Sequence, residues 1–336
     1  MSSPIALLLS VLPSYIKIFA YRLLGMKIGR DVRIGFGTLL LCSRVELLDG
    51  AQIGHFCLIR ANELRMGKRA TISNLVRIAA FSVVMKSQST IGSQNEISGV
   101  RTDPRSTLYL GPASFILPHC FVNVFRPVHL GRNVGLGGGS YLFTHGVWLS
   151  KLDGFPVSYG GITIEDDVWL PWSCFIMPNV TIGTRTIVGA RSLVNKSLPA
   201  GVLAAGAPAK ILREKSNIDL TPEERAQVLA DISKTLGGER GVTARIDSTA
   251  NADIHYLDGE RLLVLHKAAG EPLAAFPTLN VVFDDLDREA ASRSPIWSLA
   301  DYASSPYALI SPPARRWFSQ ARDVGVRFYP IDEDAA

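Results

Sequence analysis

Between Ile164 and Val194 an aliphatic side chain returns every sixth residue: Ile164, Leu170, Ile176, Ile182, Val188, Val194. Four positions after each of the first five stands a small or β-branched residue: Val168, Cys174, Val180, Thr186, Ser192. A period of six fits neither an α-helix, at about 3.6 residues per turn, nor a plain strand that alternates every two. It fits a hexapeptide β-helix, in which short flat segments wrap a triangular prism. Each aliphatic residue then points inward, the small residue fills a corner, and neighbouring coils supply one another's hydrogen bonds.

The register surfaces earlier in the chain as well. Ile28-Gly29, Ile34-Gly35 and Leu40 begin it, Ile53-Gly54 and Ile59 resume it, and Met66-Gly67, Ile72, Ile78 and Val84 form another run. Ile91-Gly92 and Ile97, then Leu110-Gly111, Ile116 and Val122, then Leu130-Gly131, Leu136 and Leu142 lead into the strict stretch. Departures from six mark corner insertions, near Asp49 and near Asp103-Pro104. At three hexads per coil, residues 28–198 make roughly eight coils. With about 4.8 Å between coils, the prism is roughly 40 Å long. The expected fold is mainly β: a left-handed parallel β-helix over residues 26–213, an apolar helix in 1–25 before it, and a small α+β domain in 214–336 after it.

Composition narrows the function classes. With 47% hydrophobic and 19% charged residues, a chain of 336 residues buries a core and is not a disordered one. The net charge of +5 comes without a basic run interleaved with aromatics, so nucleic acid is not an expected partner. Cys57, Cys120 and Cys174 each lie four residues after an aliphatic anchor and read as corner residues; Cys42 is out of that register. No pair has metal-ligand or CxxC spacing, so neither a disulfide nor a metal is expected, and the setting is reducing and cytoplasmic.

The first 25 residues are apolar. Ile5 to Leu12 ends at Pro13, and a helix is expected after it, with Ser14 as N-cap and Gly25 just past its end. Ile16, Phe19, Ala20, Leu23 and Leu24 share one face, with Lys17 and Arg22 off it. Pro13 and the two charges argue against a membrane span, and no signal-peptidase site is apparent. Two readings stand side by side: a helix docked peripherally on the inner membrane leaflet, or a cap on the open end of the prism.

At the other end, Thr221-Pro222-Glu223-Glu224 is a helix start, expected to run to about Leu236. Ile254–Leu257 and Arg261–His266 flank Asp258-Gly259, a hairpin signal. Leu279–Phe283 and Val324–Tyr329 are further strand candidates, and Pro313–Ala321 a helix.

One insertion is large. From Leu142 to Ile164 is 22 residues, beginning Phe143-Thr144-His145-Gly146 and containing Trp148, Asp153-Gly154, Phe155-Pro156 and Gly160-Gly161. A turn-rich loop leaving a rigid prism is where function usually resides. The string that follows runs from Ile162-Thr163-Ile164-Glu165-Asp166-Asp167-Val168-Trp169-Leu170 through Val180-Thr181-Ile182-Gly183, Val188-Gly189-Ala190 and Val194-Asn195-Lys196. It ends in Ala205-Gly206-Ala207-Pro208-Ala209-Lys210. This resembles the hexapeptide-repeat acyltransferases of the galactoside/maltose and polysaccharide O-acetyltransferase type, specifically over Leu130–Arg213 and not over residues 214–336.

The resemblance implies a homotrimer with acyl-CoA in the groove between adjacent prisms. It implies His145 as the catalytic base, because a sugar hydroxyl is a poor nucleophile and a neutral imidazole can take its proton as it attacks a thioester. The oxyanion that forms needs a fixed donor, and the backbone at Trp172 matches the family's position. For acetyl-CoA the positions that match the family's contacts are Trp172, Ala190, Asn195, Lys196, Lys210 and Arg213; the three cations suit phosphates. Departures from the family are Glu165 for a glycine, Pro171-Trp172 for a smaller pair, and Asn195 for a threonine. The Asn and Asp residues that orient sugar hydroxyls in galactoside acetyltransferases have no clear match in Leu117–Phe125.

The function expected is a CoA-dependent O-acetyltransferase acting on a sugar hydroxyl of a surface polysaccharide or lipid-linked glycan. N-acyl transfer to an amino sugar and a non-catalytic β-helix scaffold stay open beside it.

Overall fold

The computed structural model describes residues 3–218, residues 224, 227, 228, 231 and 235, and the strands Ala244–Ser248, Ala252–Leu257, Glu260–His266 and Leu279–Val282. The chain divides into two compact units, Met1–Asn217 and Ile218–Ala336.

The first unit is a parallel β-solenoid of about nine coils. One side is a ladder of two- and three-residue strands, in order Arg33–Ile34, Gln52–Ile53, Thr71–Ile72, Thr90–Ile91, Phe115–Ile116, Gly135–Leu136, Trp169–Leu170, Ile187–Val188 and Leu203–Ala205. The second side stacks Phe121–Asn123, Tyr141–Leu142, Phe175–Ile176 and Leu193–Val194. The third includes Val128–Leu130, Ile162–Ile164 and Thr181–Ile182. Ladder partners keep anchors over anchors: Leu136 over Leu170, Leu142 over Ile176, Leu130 over Ile164.

The six-residue period is fully expressed in the core. Ile164, Leu170, Ile176, Ile182, Val188 and Val194 are at most 1% exposed, as are the corner residues Val168, Cys174, Val180, Thr186 and Ser192. The buried hydroxyls are satisfied locally: Thr186 donates to the Pro199 carbonyl at 2.7 Å and Ser192 to that of Gly189 at 2.7 Å. The third residue after an anchor repeatedly takes positive φ, from Asp31 (55°) to Arg191 (57°). This left-handed residue turns the chain between sides, and it explains His119 (64°) as a corner residue.

Two details of register differ from the sequence reading. In the early coils the corner between the second and third sides holds one extra residue, so Leu39–Leu47, Leu58–Met66 and Arg77–Met85 run through it as nine-residue strands. The inward residues there are Val83 and Met85, while Val84 is half exposed. The insertion expected near Asp49 lies one corner earlier, at the exposed Ser43 and Arg44, and it brings Cys42 inward. The Asp103-Pro104 departure is where expected, a turn between Glu96–Ser98 and Thr107–Leu110.

The N-terminal region forms two helices, α1 (Ser3–Ser10) and α2 (Ser14–Leu23). Ser14 does not cap α2, whose N-cap is Pro13; its hydroxyl instead accepts the Ile34 N–H at 2.9 Å. The orientation of α2 is the reverse of the apolar-face expectation. Lys17 and Tyr21 are fully buried against the prism, and Phe19 and Leu23 are 65% and 74% exposed. Lys17 tolerates burial because its ammonium donates to the Gly35 carbonyl at 2.5 Å; desolvation still lowers its pKa. The helix therefore caps the coil end through polar bonds. At the other end, Lys210–Arg213 folds back antiparallel on Leu203–Ala205.

In the second unit, Ala244–Ser248, Ala252–Leu257 and Glu260–His266 are antiparallel neighbours, and Leu279–Val282 adds a parallel strand. The pairing across Asp258-Gly259 agrees with the hairpin signal. The helix start at Thr221-Pro222, the helix at Pro313–Ala321 and the strand at Val324–Tyr329 lie outside the described residues. No helix among the described residues is long and apolar enough to cross a membrane.

Candidate active site

Three departures from plain coiling stack at one corner, between the second and third sides. They are the Gly99–Ser106 turn, the short link 124–127, and the long loop 143–161. The long loop leaves as a two-stranded antiparallel ribbon, with His145 opposite Tyr159 and Gly146 opposite Ser158. Beyond it the chain is exposed, Trp148 at 94% and Leu152 at 97%.

His145 is half buried in the ribbon. Its ring lies 4.9 Å from Phe125 and 6.2 Å from Tyr159, centroid to centroid. Its Nδ1 is 2.9 Å from Oδ1 of Asn123. Asn123 sits one coil below, is 5% exposed, and its Oδ1 also accepts the Thr144 hydroxyl at 2.6 Å and the Thr144 N–H at 3.4 Å. An amide oxygen collecting these donors is an acceptor only, so Nδ1 of His145 donates to it, and in the neutral ring the lone pair is on Nε2. Asn123 lies in the Leu117–Phe125 stretch, where no match to the sugar-orienting residues of galactoside acetyltransferases is expected, and its side chain faces the histidine instead.

A second thread supports the same corner. The Arg126 guanidinium lies 4.8 Å over the Tyr159 ring, donates to the Phe125 carbonyl at 2.8 Å, and stands 3.8 Å from Asp103. Hydrogen bonds from Arg105 hold the Asp103 carboxyl down to about 2. Behind His145, Phe143 stacks on Phe175 at 5.2 Å, and Tyr141 on Phe175 at 5.9 Å.

The remaining expected site residues divide between corners. Asn195 and Lys196 are exposed at the corner of His145, further along the prism. Trp172 and Ala190 are exposed at the neighbouring corner, between the first and second sides, one coil apart. Lys210 and Arg213 are exposed on the back-folded strand, Lys210 opposite Ala205 and Arg213 opposite Leu203. One chain thus brings His145, Asn195 and Lys196 to one edge of the second side and Trp172 and Ala190 to the other. Lys196, Lys210 and Arg213 form no ion pair among the described residues.

Trp172 has a structural explanation that its sequence lacked. A Cβ on Gly138 would meet the Trp172 indole at 2.5 Å and the Pro118 carbonyl oxygen at 2.8 Å, so the glycine leaves the ring room against the coil below. Glu165 is accounted for too: its carboxylate accepts the Thr184 N–H at 2.9 Å and hydroxyl at 3.0 Å, tying two coils together.

The other chemistry-bearing groups are structural. His55 Nδ1 accepts the Phe36 N–H at 3.0 Å, and His129 stacks on Tyr109 at 4.3 Å. Burial pushes the Cys42 and Cys120 thiols up to about 11, which leaves them inert as nucleophiles. No group of three or more His, Cys, Asp or Glu among the described residues is arranged to hold a metal ion.

No protein-family model matches the chain. Over 108 residues it is 48% identical to WcaF of Escherichia coli (strain K12), a putative colanic acid biosynthesis acetyltransferase, covering 32% of this chain and 59% of that protein. Over 133 residues it is 29% identical to the galactoside O-acetyltransferase of the same organism, covering 33% and 65%. The chain thus spans about three fifths of the length of these relatives. Among solved structures, a hexapeptide-repeat acetyltransferase of Vibrio cholerae aligns at 26% identity over 39% of this chain and 76% of that one, with a TM-score of 0.32. Both curated relatives are acetyltransferases by name, and the coil of this chain is a hexapeptide-repeat solenoid.

Proposed function

We propose that the chain is an acetyl-CoA-dependent O-acetyltransferase that acts on a sugar hydroxyl of a surface polysaccharide or lipid-linked glycan. The observation that carries this is the His145–Asn123 pair, a histidine held in the tautomer that a general base requires, on the loop that leaves the prism. In this reading Nε2 of His145 takes the acceptor hydroxyl proton as the oxygen attacks the thioester carbonyl carbon. A backbone N–H at Trp172 receives the charge that develops on the carbonyl oxygen. As the C–S bond breaks, His145 returns the proton to the departing thiolate.

Ala190 leaves room for the pantetheine arm to lie close to the coil, and Lys196, Lys210 and Arg213 offer phosphates exposed cations that have no ion-pair partner among the described residues. The division of these residues over two corners supports a homotrimer, in which one prism's His145 corner faces the Trp172 corner of the next. Four free, buried thiols support a cytoplasmic setting, and the apolar N-terminus supports a peripheral position at the inner leaflet.

Acetyl-CoA turnover against a panel of nucleotide-sugars and lipid-linked sugars, read by product mass, tests the assignment. Transfer that survives His145→Ala unchanged rejects His145 as the base. A wild type that neither turns over nor binds acetyl-CoA points to the scaffold instead, and an amide product to N-transfer.

A further inference from the structure

Arg126 is held at the corner of His145 with more donors than the protein uses. Its backbone N–H donates to the Thr144 hydroxyl at 3.1 Å, and its guanidinium lies 4.8 Å over the ring of Tyr159, the residue opposite His145 in the ribbon. The side chain is only 21% exposed. One Nη donates to the Phe125 carbonyl at 2.8 Å, while Nε and the other Nη make no hydrogen bond among the described residues. A guanidinium this far out of water is costly unless its donors are matched.

Asp103 does not match them. It stands 3.8 Å from Arg126, beyond hydrogen-bond range, and both of its oxygens already serve Arg105. Oδ1 accepts the Arg105 N–H at 3.0 Å and Nε at 2.9 Å, and Oδ2 accepts an Nη at 2.8 Å. The three segments stacked at this corner, 99–106, 124–127 and 143–161, carry Arg101, Arg105, Arg126 and Lys151 against Asp103 and Asp153. Positive charge is therefore left over after both acids are counted. Arg126 is the one of these cations that lies on a ring facing His145.

We infer that the acceptor sugar is anionic and that Arg126 selects it, pairing its guanidinium fork with a carboxylate or phosphate on the reacting sugar or on the one next to it. The inference rests on the acetyltransferase reading of His145. Phe125 and Tyr159, with ring centres 4.9 and 6.2 Å from that of His145, give the apolar face of a sugar ring a place to rest while its acidic group reaches Arg126. The donor's own phosphates fit Arg126 less well. Along the second side, Arg126 follows the rung before that of His145, and Lys196 follows the rung two beyond it. The two cations thus serve opposite sides of the reacting centre.

Binding of methyl β-D-glucuronide, glucose 1-phosphate and methyl β-D-glucoside to the full-length protein, titrated by saturation-transfer NMR, tests this in wild type, R126Q and R126K. Wild type is expected to hold an acidic probe at least tenfold more tightly than the neutral glucoside. Which acidic probe it prefers separates a carboxylate from a phosphate as the partner. R126Q is expected to lose the preference while its unfolding temperature and its affinities for the glucoside and acetyl-CoA stay unchanged. R126K keeps the charge without the fork and should keep part of the preference. Wild type with no preference overturns the inference, and so does R126Q protein that retains it. R126Q that weakens acidic and neutral probes alike also overturns it, making Arg126 a prop for the ribbon, and a loss of acetyl-CoA affinity would assign it to the donor instead. The two readings fail separately: acetyl-CoA bound without a preference for acid sinks this inference alone, whereas acid held through Arg126 with no acetyl-CoA binding sinks the acetyltransferase reading.

Discussion

At the scale of single residues, the site turns on one amide. Replacing His145 with alanine is expected to lower transfer by about two to four orders of magnitude, the usual share of a general base, with little change in unfolding temperature. Asn123→Ala should lower kcat and also cost about 1–3 kcal/mol of stability, because it strands the Thr144 donors that its Oδ1 satisfies. Asn123→Asp keeps an acceptor facing Nδ1 and should retain far more activity than the alanine variant, an outcome that a purely structural role does not require. Asp103 makes a pH prediction. Its folded pKa of about 2 lies below the ordinary aspartate value of about 3.9, so its contribution to stability is present above pH 4 and disappears as pH falls from about 4 to about 2. Asp103→Asn should flatten the unfolding temperature over that window. The loop that carries His145 was legible in the sequence, as a turn-rich departure from the period of six. Asn123 was not: a separation of 22 residues means nothing until the coil length is known, and then it becomes the distance to the rung directly below.

At the scale of elements, the coil behaves as its period dictates. Ile176→Ala in the strict stretch should cost about 2–5 kcal/mol, measured by chemical unfolding, since the packed prism interior has little room to close over the hole. Gly138→Ala is a more specific probe. Its methyl would press on the Trp172 indole at 2.5 Å and on the Pro118 carbonyl oxygen at 2.8 Å, so both the ring and the backbone must shift. The expected result is a shift in tryptophan fluorescence, a stability loss of about 1–3 kcal/mol and weakened acetyl-CoA binding. The sequence made the inward rows legible because one mismatch with six is enough to move a side chain from core to solvent. The extra corner residue at Ser43-Arg44 escaped it for the same reason: the local spacing reads equally well with the slip placed one corner later. Helix α2 shows a different limit. Hydrophobic periodicity locates an apolar face, but it cannot tell that the prism end presents bare carbonyls, which a lysine satisfies and a phenylalanine does not.

At the scale of the whole molecule, the solenoid builds a continuous core of its own. The backbone ladders join each coil to the coils beside it, and the core runs from Ile34 to Ala204. A chain ending at Asn217 should therefore keep a cooperative unfolding transition and a β-type circular dichroism spectrum; loss of either would show that the second unit is needed for folding. Stacked parallel rungs also have a hazard. The last rung of such a column has free N–H and C=O groups in the same spacing as the next coil would need, which makes it a template for another molecule. The back-folded segment Lys210–Arg213 runs the opposite way across Leu203–Ala205, so the ladder ends on a strand of the wrong polarity and with two cations. The terminal strand is thus a stopper at this end, and removing it should let two molecules pair through their bared last rungs, raising the native mass to that of a pair, while α2 still caps the first rung.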